Sequence, residues 1–156
     1  MKKTILASAL AGSLILTVAL PAGAMMKMNP AVAHKALAEA AHRGAYLFGH
    51  DTFGGHRRMH GVPVTCETCH LGGGRVAGRL PNGARIPSLV NAAAIFPRYN
   101  PMAHGVVTLA MQIQHCIKGG LGGQPPALGS KTMVDMVAYL HTLAKGQPVD
   151  AGGIPK

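Results

Sequence analysis

The order of apolar and polar positions divides this 156-residue chain into a leader, a set of amphipathic helices and long polar connections. Ile5 to Leu20 is an apolar run without charge, preceded by Lys2 and Lys3 and followed by Pro21-Ala22-Gly23-Ala24. That order of positive start, apolar stretch and small residues predicts a cleaved secretory signal peptide over residues 1–24. The run is 16 residues long and broken by Ser8, Gly12, Ser13 and Thr17, short of the ~20 apolar residues that a spanning helix needs. No later stretch could cross a bilayer. Residues 25–156 then form one domain, outside the cytoplasm, in the periplasm.

Asn29-Pro30 predicts a capped helix start. From there Val32, Leu37, Ala40, Ala41, Gly44, Leu47 and Phe48 recur at helical spacing, so a helix is expected from about 30 to 48. Gly49 to Gly61 reads as loop, and Thr65 to His70 as a turn into a short helix. Leu71 to Ile86 holds five glycines and predicts irregular chain. Pro87 to Ile95 fits a short helix stopped by Pro97. Gly105 to Lys118 fits another, ended by Gly119-Gly120, and Gly119 to Gly129 is a second loop. Ser130 caps a last helix to about Ala144, with Met133, Met136, Val137, Leu140 and Leu143 or Ala144 on one stripe. No repeat and no alternating strand pattern is visible. The expected fold is all-α, about four helices with long Gly/Pro-rich loops.

Composition sharpens this. The chain has 21 Gly and 11 Pro but only three Phe and three Tyr, so its core lacks large aromatic side chains. A domain this small buries proportionally little surface, and a flat apolar cofactor would fill the deficit. The formal charge is +10, or +8 once Lys2 and Lys3 leave with the leader. Export and the scatter of the charges argue against nucleic acid, leaving an acidic redox partner protein or a small anion as the expected partner.

Cys66-Glu67-Thr68-Cys69-His70 is the attachment pattern of a c-type haem. Two thiols add to the two vinyl groups of one haem, and the adjacent His70 becomes the proximal iron ligand. Half of a zinc site would need a second ligand pair, and the only other cysteine is Cys116. A redox CxxC belongs in a βαβ setting, which is absent. One covalent haem c is therefore expected at Cys66, Cys69 and His70. Candidates for the sixth ligand are Met102, Met111, Met133, Met136, His104, His115 and Cys116. Met133 lies 63 residues after His70, but Met133 and Met136 lie on the apolar face of the last helix, where packing explains them. Met102 follows Pro101 in a loop. An odd thiol in an oxidising compartment needs its own explanation.

With Gly44, Phe48 and Tyr139-Leu140 around the haem motif, the chain resembles the class I cytochrome c family. The resemblance implies that the first and last helices cross beside the haem, with Gly44 letting the backbones approach. A narrower resemblance rests on Ile86-Pro87-Ser88-Leu89, Phe96-Pro97-Arg98-Tyr99, Thr108-Leu109, Ile113-Gln114-His115-Cys116 and Met133 to Leu140. These resemble the thiosulfate dehydrogenases and Sox A-subunit cytochromes, and the match covers roughly 65 to 145. That resemblance implies Cys116, 46 residues after His70, as the distal ligand beside His70. The chain departs from the pattern in carrying one haem motif and not two. It has Gln112 and Met102 where arginines are usual, and Gly120-Leu121-Gly122-Gly123 replaces a Ser-Met-Asn-Gly. Arg98, His104, His115 and Lys118 are the cations that could stand in. The expected function is single-electron transfer between redox partners in sulfur-compound oxidation. The alternative is a thiosulfate dehydrogenase-like enzyme acting on small sulfur anions, and a third reading is a relay subunit of a larger complex.

Overall fold

The computed structural model describes residues 28–156; the leader expected over 1–24 lies outside them. Among the described residues there are five α-helices and three very short antiparallel ladders, so the all-α class I cytochrome c-like fold holds.

The first helix, α1, spans Pro30–His50, two residues beyond its expected end. Asn29 accepts a hydrogen bond from the Ala31 N–H at 3.0 Å, and Pro30 occupies the first position, where no donor is needed. Its buried stripe is Ala40, Ala41, Gly44 and Phe48. Val32 and Leu37, expected on the same face, are exposed, because the partner helix covers only the C-terminal half of α1. That partner is the last helix, α5, Lys131–Leu143, capped by the Ser130 hydroxyl accepting from Met133 N–H. Met133, Met136, Ala138, Tyr139, Leu140 and Leu143 face inward.

The two helices meet at Gly44. A Cβ there would collide with the Asp135 carbonyl oxygen and lie 2.8 Å from Tyr139 Cβ, so only glycine permits this approach. Beside the crossing, Arg43 Nε and Nη2 donate to the two Asp135 carboxylate oxygens, each at 2.8 Å, and Lys131 Nζ donates at 2.8 Å from one turn earlier. Phe48 and Tyr139 rings pack with centroids 5.4 Å apart.

The connections differ most from expectation. Strands β1 (Arg58–Met59) and β2 (Val62–Pro63), β3 (Gly78–Arg79) and β4 (Arg85–Ile86), and β5 (Arg98–Asn100) and β6 (Gly105–Val107) pair in turn. Pieces of two or three residues are too short to show a period of two. The helix expected from Gly105 begins only at Leu109: Val106 and Val107 pair with Tyr99 and Arg98, and Thr108 caps the helix after them. This helix, α4, runs Leu109–Cys116 and widens into a π turn over Ile117–Leu121, stopped by Gly122 in the left-handed region. The helix expected over Pro87 to Ile95 shrinks to α3, Ala92–Ile95. Ser88 and Asn91 instead bind the chain's last residues. Ser88 N–H donates to Lys156 O, Asn91 Nδ2 donates to Ile154 O, and Asn91 Oδ1 accepts from Lys156 N–H.

Candidate functional site

Cys66 and Cys69 form the two ends of α2, Cys66–Cys69. Three residues apart on one helical turn, they present their thiols on one side. Thr65 N–H donates to Thr68 Oγ1 at 3.0 Å at the start of this turn, and His70 N–H closes it on the Cys66 carbonyl at 3.0 Å. After His70 the chain reverses through Gly72, Gly73 and Gly74, all at positive φ, where other residues are strained. Glu67 accepts from Gly73 N–H at 3.0 Å, and Tyr139 Oη donates to Gly73 O at 2.7 Å, tying the reversal to α5.

Cys66, Cys69 and His70 line a cavity of about 680 Å³, and Cys116 lines the same cavity from α4. The size lies within the roughly 300–1,000 Å³ of small-molecule and cofactor sites. Its walls are mainly apolar and include Phe48, Leu89, Ile95, Ile113, Met136 and Leu140. The cavity thus accounts for the missing aromatic core: it is space that the side chains do not fill. Pro155, from the tail that Asn91 pins, also lines it, a wall element with no signal in the sequence.

His70 Nδ1–H donates to the Pro87 carbonyl at 2.9 Å, which fixes the tautomer and leaves Nε2 with its lone pair. Burial lowers the His70 pKa, against the opposing pull of that hydrogen bond, so the imidazole is neutral. Burial pushes the Cys66 thiol up to about 12, with the sulfurs of Cys116 and Cys69 adding to the effect. Cys69 is raised by burial and by Cys116. Cys116 is raised by burial, and a hydrogen bond from Gln112 works the other way. A neutral imidazole and a buried thiol are poor company for a free charge. They suit a cationic metal, which deprotonates a coordinating thiol outright. The arrangement fits an iron porphyrin with thiols for its periphery and a nitrogen and a sulfur for its metal.

The other ligand candidates separate by position. Met133 is 1% exposed, belongs to the core and does not line the cavity. Met136 is also core, and lines one wall. Met102 lines the rim but is 84% exposed on the 3₁₀ turn Pro101–Ala103. Neither Met111 nor His104 lines the cavity, whereas His115 does. Of the cations considered, Arg98 lines it and Lys118 does not, and Arg85 joins Arg98. Among the described residues none that lines the cavity is acidic. Sequence reasoning passed over Asn100, whose buried amide reaches Gln112; nothing local marks it.

Comparison with known proteins bears on the domain type. A family model for the SoxA/TsdA cytochrome c domain matches residues 56–149. A thiosulfate dehydrogenase from Thiomonas intermedia is 37% identical over 90 residues, 58% of this chain and 26% of that protein. One from Allochromatium vinosum is 32% identical over 91 residues, 58% of this chain and 33% of that protein. The solved thiosulfate dehydrogenase (TsdBA) from Marichromatium purpuratum superposes with a TM-score of 0.54 at 26% identity, covering 77% of this chain and 27% of its own. The chain therefore matches about a quarter to a third of the length of these relatives. The family model matches more than half of the chain, and that places it: the chain belongs to the SoxA/TsdA cytochrome c domain family, a domain type that implies covalently bound haem c.

Proposed function

We propose that this chain is an exported monohaem c-type cytochrome that passes single electrons between redox partners in sulfur-compound oxidation in the periplasm, after removal of residues 1–24. Cys66 and Cys69 are the thioether positions, His70 is the proximal ligand and Cys116 the distal one. The observation that carries this reading is that these four residues, from α2, the residue that follows it and α4, line one apolar cavity. Bound haem c supplies a one-electron ferric/ferrous couple whose potential the axial ligands and their surroundings set. The chain's own work is to hold and shield. Pro87 orients His70, and the apolar walls exclude water. Arg85 and Arg98, with no acidic residue beside them among the described lining residues, favour an acidic partner at the mouth.

A second reading has one observation in its favour. Arg98 and His115 line the same cavity as Cys116, so a small sulfur anion could be held near that sulfur, as a thiosulfate dehydrogenase-like enzyme requires.

Mass spectrometry of the exported protein is expected to show one covalent haem on a chain starting near Met25. Low-temperature EPR is expected to show a low-spin His/thiolate iron, and redox titration a negative midpoint potential, because an anionic sulfur stabilises the ferric state. Cys116→Met should raise the potential, and Cys116→Ala should admit exogenous ligands. A Met133→Ala protein that turns high-spin while Cys116→Ala keeps the native spectrum overturns the ligand assignment. Reduction of the purified protein by thiosulfate alone, lost in Arg98→Ala, would favour the enzyme over the carrier.

A further inference from the structure

The residue best placed to govern the Cys116 sulfur is Gln112. The two are four apart on α4, so their side chains share a face, and Gln112 Nε2 lies 3.5 Å from Cys116 Sγ. An amide could offer either end to the sulfur, and the fold settles which. Asn100 is buried, and its Oδ1 accepts from Met102 N–H at 2.8 Å and Ala103 N–H at 3.3 Å, capping the turn at the tip of the β5–β6 hairpin. With its oxygen committed, Asn100 presents Nδ2, which donates to Gln112 Oε1 at 2.9 Å. Gln112 is thereby left with its NH₂ toward the sulfur, as donor. Two backbone N–H groups in one hairpin thus dictate the polarity of a contact on another element.

We propose that Gln112, held in its donating orientation by Asn100, is a positioning residue for Cys116 that withdraws electron density from the sulfur and so sets how strongly Cys116 donates to iron. The inference rests on the reading of Cys116 as the distal ligand. Hydrogen bonds to a ligating sulfur tune the metal's potential, and groups that hold a ligand matter nearly as much as the ligand. Without the donor the thiolate is more basic, and the ferric state gains over the ferrous.

The test is the midpoint potential and EPR spectrum of the holoprotein. Gln112→Leu should keep a low-spin His/thiolate spectrum. Loss of one hydrogen bond to a charged acceptor is expected to shift the ferric/ferrous ratio about tenfold toward ferric, or about 59 mV toward negative potential for one electron. Gln112→Lys, which donates with a full positive charge, should shift it the opposite way; a packing defect would not reverse sign. Asn100→Asp keeps the acceptor for Met102 and Ala103 but cannot donate to Gln112, and should lower the potential as Gln112→Leu does. In a Cys116→Met background, where the sulfur carries no charge, Gln112→Leu should leave the potential unmoved. An unshifted Gln112→Leu potential, with Cys116→Met shifted, overturns the proposal while the ligand assignment stands. An equal shift in both backgrounds also overturns it, since the effect would not pass through the thiolate. A Cys116→Met protein with the native spectrum overturns the ligand assignment and this proposal with it.

Discussion

Replacing Gly44 with alanine tests the contact on which the fold turns. On an exposed helix face the change would be favourable by about 1 kcal/mol, because alanine is the better helix former. Here the added Cβ meets the Asp135 carbonyl oxygen, lies 2.7 Å from the Asp135 carbonyl carbon and 2.8 Å from Tyr139 Cβ. None of these atoms is the free end of a flexible side chain, so α1 and α5 must separate by a sizeable fraction of an ångström. Overpacking of this kind costs roughly 1–3 kcal/mol and occasionally more. The obstruction is backbone, so the upper end applies, and the net loss is about 2 kcal/mol. Separation also pulls at the Arg43–Asp135 pair and at Phe48 against Tyr139. Because Phe48, Met136 and Leu140 line the cavity, the loss should appear in the haem environment as well. Thermal unfolding of the holoprotein, followed in the far-UV and at the Soret band, should drop by roughly 5–10 °C. A Gly44→Ala protein that melts at or above the wild-type temperature, with an unchanged Soret band, would refute the close crossing and the placement of the cavity wall that depends on it.

The two hydrogen bonds from Arg43, with the one from Lys131, hold the buried Asp135 carboxyl at a pKa of about 2 against the opposing effect of burial. The folded-state value is depressed, so the carboxylate's contribution is complete above about pH 4 and is lost as the pH falls toward 2. Its size is on the order of 1–2 kcal/mol, discounted because its partners Arg43 and Lys131 are 44% and 69% exposed and screened by solvent. Denaturant midpoints of Asp135→Asn should therefore lie below wild type at pH 7 and converge with it near pH 2; a constant gap across that range would contradict the pairing. Asn91→Ala leaves Ile154 O and Lys156 N–H without their side-chain partner; about 1–3 kcal/mol of stability should be lost, seen as a lower denaturant midpoint at unchanged slope. Electron-transfer rates with an acidic partner protein should fall as salt rises, since exposed charges are screened within ~8 Å at physiological ionic strength; stopped-flow rates independent of salt would remove the basic rim from the reaction.

Features whose cause is local in sequence could be read from it. Asn29-Pro30 and Ser130 start helices because a cap acts within three residues, and the thiols of Cys66 and Cys69 fall on one side because a single helical turn places them there. Gly44 was legible as a close approach only through family resemblance, and the structure names the atoms it approaches. What the sequence could not supply depends on residues far apart along the chain. The exposed Val32 and Leu37 fit the helical period, but a period does not say how far the partner helix reaches. Pro87 to Asn91 carries helix-compatible residues, yet the tail at Ile154 to Lys156 competes for their hydrogen bonds and wins. Val106 and Val107 read as helix until Arg98 and Tyr99 arrive beside them. The path from Met102 and Ala103 through Asn100 and Gln112 to Cys116 needs a hairpin folded against a helix before any of its distances exist. A side chain's type and its near neighbours are written in the chain; which end of an amide faces a sulfur is decided by hydrogen bonds that only the folded backbone brings within reach.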